Sequence, residues 1–195
     1  MMDIVFNAAI FMITAYIAVF VFFRKDHRWN PDRGRYAMRF FTAQSNILCA
    51  AAALLMCFFP GSTFAWLLKY IGTAAVTVTM LTVFFFLAPS IGRGGLKQLL
   101  GGADLFMHLI TPVIALGSFC FLEKRGMTFG QSLLGMLSVA LYGPWYLYKI
   151  RFAPTGKHWD DFYGFNKGGR WKTSFLMMAI GTFIICLGLW GLQNI

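Results

Sequence analysis

The chain has 195 residues, 58% of them hydrophobic, 18% aromatic and only 12% charged. A soluble domain carries about twice that share of charge, so too little polar surface exists to cover a water-soluble globule. Disordered, collagen-like and small disulfide-stapled classes are excluded as well. The net charge of +10 comes from 17 basic against 7 acidic residues. The basic residues fall between apolar blocks, as membrane insertion and anionic lipid surfaces require, and no basic face interleaved with stacking aromatics marks a nucleic-acid partner.

Six apolar stretches follow in chain order: Ile4–Phe23, Ala37–Phe59, Phe64–Ala88, Ala103–Leu122, Phe129–Tyr148 and Thr173–Leu192. Each is long enough to cross the hydrocarbon core as a helix. Their continuous apolarity excludes a barrel, whose strands alternate with period two. The expected fold is a single all-α domain over 1–195, a polytopic six-transmembrane-helix bundle. The amino end, Met-Met-Asp, has no basic n-region and no small-x-small site follows, so the first stretch reads as a span and not as a cleaved signal. Cys49, Cys57, Cys120 and Cys186 each lie inside an apolar block without metal-ligand spacing, which predicts buried free thiols.

Orientation follows from the basic residues. Loops 24–36 (with Arg39), 89–102 and 149–172 hold fourteen Lys and Arg, against three (Lys69, Lys124 and Arg125) on the other side. The bias predicts cytoplasmic odd loops and extracytoplasmic termini. Trp145, Tyr146, Tyr148 and Trp171 read as anchors at the cytoplasmic interface, and Trp66 and Trp190 as anchors at the opposite one.

The few polar residues inside the stretches carry the functional information. Thr42, Ser45, Asn46 and Cys49 share one helical stripe of the second stretch. Asp104, His108 and Thr111 share a stripe of the fourth, with Pro112 next, and Thr73 and Thr77 lie four apart on the third. Thr42 and His108 each fall about five residues inside stretches that enter from the same side. At about 1.5 Å per residue they sit at one shallow depth, roughly 8 Å in, where a hydroxyl and an imidazole could form a nucleophile–base pair. The bland readings stand beside this one. Threonine in a membrane helix commonly bonds its own i−4 carbonyl, Asp104 could cap its helix, and Asn46 could bridge helices. Ser132, Gly135, Ser138, Gly181 and Gly188 read as close-packing positions, and Pro112 and Pro144 as kinks. The long loop 149–172 reads as a cap folded over the cytoplasmic mouth. His158, Asp160 and Asp161 within it are only a weak metal pattern, and no metal or cofactor is expected.

The stretches Arg39-Phe-Phe-Thr42-Ala-Gln-Ser-Asn46 and Asp104-Leu-Phe-Met-His108-Leu-Ile-Thr-Pro112 resemble the androgen-induced family of transmembrane hydrolases and its shorter bacterial relatives. The third stretch from Thr77 to Pro89 and the loop segment Trp159-Asp-Asp-Phe-Tyr-Gly-Phe165 look like the bacterial branch. The resemblance implies a six-helix protein of a bacterial cytoplasmic membrane, with Thr42 as nucleophile and His108 as its base. It also implies a lipid-ester substrate, such as the fatty acid esters of hydroxy fatty acids cleaved by eukaryotic members. A tyrosine–proline pair of the family's last cytoplasmic loop is replaced here by Asp160-Asp161. In this reading Asp104 orients His108, Asn46 or loop amides hold the oxyanion, and Ser45, Cys49, Thr77 and Thr111 line the substrate pocket. The competing reading is a non-enzymatic lipid-binding or transport protein with Asp104 and His108 as its polar site. The sequence leaves the oligomeric state open.

Overall fold

The computed structural model describes residues 2–26 and 28–195, and almost all of them are helical. Among the described residues, five helices are long and apolar enough to cross a membrane. These are α1 (Met2–Phe22), α3 (Phe41–Phe58), α4 (Thr63–Ile91), α6 (Ala103–Leu122) and α8 (Trp171–Asn194). The fifth apolar stretch is helical over 129–152 (α7), but a 3-10 turn at Leu133–Met136 and the internal Pro144 divide it. Short elements fill the connections: an antiparallel ribbon of β1 (Arg24–Lys25) and β2 (Arg28–Trp29), then α2 (Pro31–Ala37) and α5 (Gly95–Leu99).

Local chemistry sets several boundaries. Asn30 caps α2 by accepting from the Arg33 amide at 3.0 Å, and Pro31 takes the first helical position, where its missing N–H costs nothing. Residues 37–40 therefore close α2 and turn, and α3 begins only at Phe41, four residues later than the apolar run suggested. Ser62 caps α4, and a reciprocal Thr128–Gln131 capping box starts α7. Pro89 and Pro112 each follow a π-helical turn, Val83–Leu87 and Phe106–Ile110. In each case the i−4 carbonyl, which proline can neither bond nor tolerate closely, lies inside the wider turn.

α4 is the central post, packed against α3, α6, α7 and α8, whereas α1 and α8 leave most of their surface uncovered. Small residues permit its closest contact. A Cβ on Gly72 would stand 2.7 Å from Cys49 Cα, so α3 and α4 approach at backbone distance there. Gly135 of α7 instead leaves room for side chains, the Tyr70 hydroxyl and the Cys186 thiol. Gly181 and Gly188, expected as packing positions, face open space. All four cysteines are free, and Cys49, Cys120 and Cys186 are buried.

The distribution of polarity is inverted relative to a soluble protein. Phe85, Phe86, Phe121, Leu141 and Ile184 are exposed, while Asn7, Asn46, Lys69, His108 and Glu123 are buried. Apolar surroundings stabilise such a surface, and interior polar groups then bond one another. Lys69, counted as a loop charge from the sequence, is instead enclosed in α4. Its ammonium donates to Asn7 Oδ1 and Ser118 Oγ and lies 3.4 Å from Glu123 Oε1, which also accepts from Asn7 Nδ2 at 2.7 Å. Trp66 is likewise no interface anchor: it is buried and donates from Nε1 to the Glu123 carbonyl at 2.8 Å. Both chain ends lie at this end of the bundle, because Asn7 meets Glu123 and Gln193 donates to the Phe119 carbonyl. The basic connections 23–40, 92–102 and 153–170 gather at the other.

Candidate active site

Thr42 and His108 come together at the basic end. Thr42 Oγ1 lies 3.4 Å from His108 Nε2, near the outer limit of a hydrogen bond. Thr42 is the second residue of α3, so it stands in the first helical turn and not one turn deeper as expected. It is part-exposed, whereas His108 is buried within the π turn Phe106–Ile110. Such turns rotate side chains out of the regular helical register and recur at functional positions.

The other imidazole nitrogen is also engaged. His108 Nδ1 lies 2.8 Å from the Leu99 carbonyl. A carbonyl can only accept, so Nδ1 carries the proton and Nε2 offers its lone pair to the threonine hydroxyl. Gly102 lies in the turn between α5 and α6 with a φ of +57°, a conformation that side chains disfavour, and the Leu99 carbonyl just before it meets the Nδ1 edge of the ring. The expected orienter, Asp104, does not fill this role. It is exposed in the first turn of α6, where its charge complements the helix dipole.

Asn46 is corrected as well. Its amide nitrogen donates to the Thr42 carbonyl at 2.9 Å and to the Met107 carbonyl at 3.1 Å. Both donors are therefore consumed in tying α3 to the turn that carries His108, and none remains for an oxyanion. The reverse amide orientation would set oxygen against two carbonyls. Asn46 Oδ1 has no partner among the described residues.

The four expected pocket residues are buried in helix–helix contacts. Ser45 Oγ bridges the Thr42 carbonyl and Thr79 Oγ1 at 3.1 and 2.9 Å. Cys49 lies against Gly72, Thr77 donates to the Thr73 carbonyl at 2.7 Å, and Thr111 is enclosed with its hydroxyl unpartnered among the described residues. Ile10, Cys49, Ala53, Val76 and Ala115 form an apolar cluster across α1, α3, α4 and α6. Along α4 and α6 this cluster stands between the Lys69–Ser118 layer at one end and the Ser45–Thr79 and Thr42–His108 layer at the other.

The sequence reading missed Tyr163. Its hydroxyl accepts from the Phe41 amide at 3.0 Å and interacts with the Thr42 hydroxyl and backbone. Burial raises its pKa and keeps the phenol neutral. The loop that brings it there is the expected cap. Trp159, Phe162 and Phe165 pack on Tyr142 and Tyr146 of α7, and the Arg39 guanidinium carbon lies 5.7 Å from the Trp159 ring centre. Asp161 holds the loop in shape: Oδ1 accepts from the Tyr146 hydroxyl at 3.0 Å and the Phe165 amide at 2.8 Å, and Oδ2 from the Asn166 amide at 2.7 Å. Tyr146 is thus a buried loop anchor, not an interface belt residue. The acidic–aromatic composition of residues 158–165 was the available signal, but the pairing of Tyr163 with a residue 122 positions away is a tertiary fact.

No protein-family model, curated protein or solved structure matches the chain.

Proposed function

We propose that this protein is an integral membrane lipid-ester hydrolase in which Thr42 is the nucleophile and His108 its base. The observation that carries the reading is the 3.4 Å Thr42–His108 contact with the opposite ring nitrogen tied to a carbonyl. The resemblance of residues 39–46 and 104–112 to the androgen-induced family supports it. So does the setting, a part-exposed hydroxyl at a helix end within an apolar bundle.

In this mechanism the Thr42 proton passes to His108 Nε2 as Oγ1 bonds to the ester carbonyl carbon. The resulting oxyanion lies near the first-turn amides of α3, such as Ala43 N–H, whose donors lack intrahelical acceptors and sit at the positive end of the helix dipole. The tetrahedral adduct collapses, the carbon–oxygen bond to the alcohol breaks, and His108 returns its proton to the departing alkoxide. Water then adds to the acyl-threonine by the same proton route, releasing the acid and restoring Thr42. The Leu99 carbonyl stabilises the imidazolium in both steps, and Tyr163 fixes the helix start that carries the nucleophile. The basic loops face the cytoplasm in this reading, six helices cross the membrane, and the ester lies at the cytoplasmic interface, where acyl chains and water meet.

The apolar cluster between the two polar layers weighs against the transport alternative, which needs a continuous polar path. The experiment is labelling of purified protein with a serine/threonine-directed alkyl phosphonate. Wild type labels on Thr42, whereas Thr42→Ala and His108→Ala lose the label. Equal labelling of all three proteins refutes the dyad.

A further inference from the structure

Helices α7 and α8 touch where Gly143 faces Met178; a Cβ on Gly143 would stand 2.7 Å from the Met178 methyl carbon. One residue further, Pro144 interrupts the hydrogen bonding of α7, and the helix ends in a π turn at Tyr148–Phe152. Proline in a helix interior bends it. Toward the basic end the two helices enclose a groove of about 230 Å³, lined by Pro144, Leu147, Tyr148, Phe152, Trp171 and Phe175.

The walls of this groove are apolar or aromatic, and its rim is cationic. The Arg151 guanidinium carbon lies 5.5 Å from the Phe152 ring centre and the Lys172 ammonium 5.7 Å from that of Trp171. Both cations are exposed, and neither has an ion-pair partner among the described residues. Asp161, in the adjoining loop, is already engaged by Tyr146 and two backbone amides. Two of the wall rings, Phe152 and Trp171, thus each carry a cation with no ion-pair partner among the described residues.

We propose that this groove binds an anionic phospholipid, with an acyl chain along Leu147, Phe152 and Phe175 and the headgroup phosphate between Arg151 and Lys172. Charge complementarity selects the occupant. A free anion would leave the apolar walls wet, and a second copy of this chain, with its net charge of +10, would add cations at a face already basic. Cationic pockets between membrane helices on the basic side hold anionic headgroups by this combination of charge and chain burial. None of the residues proposed for hydrolysis takes part, so the site stands or falls separately.

The test is native mass spectrometry of the detergent-purified protein titrated with phosphatidylglycerol or phosphatidylcholine of identical chains. Wild type should bind the anionic lipid about tenfold more tightly. Arg151→Gln/Lys172→Gln should reduce that preference to near unity. Arg93→Gln/Lys97→Gln, which removes the same charge from another exposed basic loop, should preserve it. Equal binding of the two lipids by wild type overturns the proposal, as does an equal loss of preference in both double variants. Full displacement of the lipid by glycerol phosphate at matched concentration also overturns it, because the site would then read an anion and no chain.

Discussion

Replacing Lys69 with methionine would strip the Glu123 carboxylate of its only ion-pair partner among the described residues while leaving it enclosed. The two side chains are 0% and 2% exposed and their charged atoms are 3.4 Å apart. At an effective dielectric constant of about 20 that separation corresponds to about 5 kcal/mol of attraction. Most of it offsets the desolvation of the two ions, so the pair contributes little net stability relative to an apolar replacement. Removing one partner is different, because the remaining ion keeps its desolvation penalty and loses the compensation. Glu123 Oε2 already has no partner among the described residues, and Asn7 alone would remain to bond Oε1. Lys69→Met is therefore expected to destabilise the bundle by about 3–5 kcal/mol. The double variant Lys69→Met/Glu123→Gln keeps the amide contact to Asn7 without either charge, and should recover to within about 1 kcal/mol of wild type. The assay is unfolding in mixed detergent micelles by increasing dodecyl sulfate, followed by far-ultraviolet circular dichroism. Single variants that each lose less than about 1 kcal/mol, or a double variant as destabilised as the two singles together, would refute the reasoning.

Four further outcomes follow from the geometry. Gly72→Ala places a methyl group against the Cys49 backbone and should cost about 1–3 kcal/mol in the same unfolding assay; Gly188→Ala, with open space around it, should cost nothing. Asp104→Asn should leave phosphonate labelling at the wild-type rate, because the Leu99 carbonyl and not Asp104 holds His108 Nδ1; a loss comparable to His108→Ala would restore the aspartate to the site. Tyr163 has a raised pKa in the folded protein, so its stabilisation is fully present below the ordinary phenol value of about 10 and is lost as pH rises above it. Tyr163→Phe should accordingly flatten the decline of stability above about pH 10, measured by thermal denaturation as the pH is raised. Finally, a membrane-impermeant maleimide applied to oriented vesicles should reach Arg33→Cys and Lys157→Cys only from the cytoplasmic face and Lys124→Cys only from the opposite one; labelling of all three from one face would overturn the proposed orientation.

Much of the helical layout can be read along the chain because hydrocarbon leaves few ways to satisfy a backbone. Long apolar runs must be helices, and their positions follow from where the polar residues interrupt them. Ala103–Leu122 was legible to the residue for this reason. The start of α3 was not: residues 37–40 are apolar enough to extend the run, but the Asn30 cap and Pro31 upstream commit them to the end of α2. The candidate pair was visible because Thr42 and His108 are scarce polar groups at similar positions in two runs. Their partners were not. Whether Asp104 or the Leu99 carbonyl meets Nδ1 depends on the turn at Gly102, and periodicity assigned Asp104 to the same face on the assumption of a regular helix, whereas Phe106–Ile110 is a π turn.

The sequence by itself determined the helical architecture and the long apolar runs that set its helices. Its composition excludes a soluble surface, its runs dictate helices, and its low charge reduces the candidate chemistry to a few positions. Tertiary structure decided which of those positions meet and what each is free to do. It committed Asn46 to two carbonyls, enclosed Lys69 with Glu123, and brought Tyr163 from a distant loop onto the start of α3. The physical reason is that helix formation is local and follows from each segment's own apolar run and caps. Hydrogen-bond partners inside the bundle are set instead by how whole helices are rotated and seated against one another, and no local pattern encodes that.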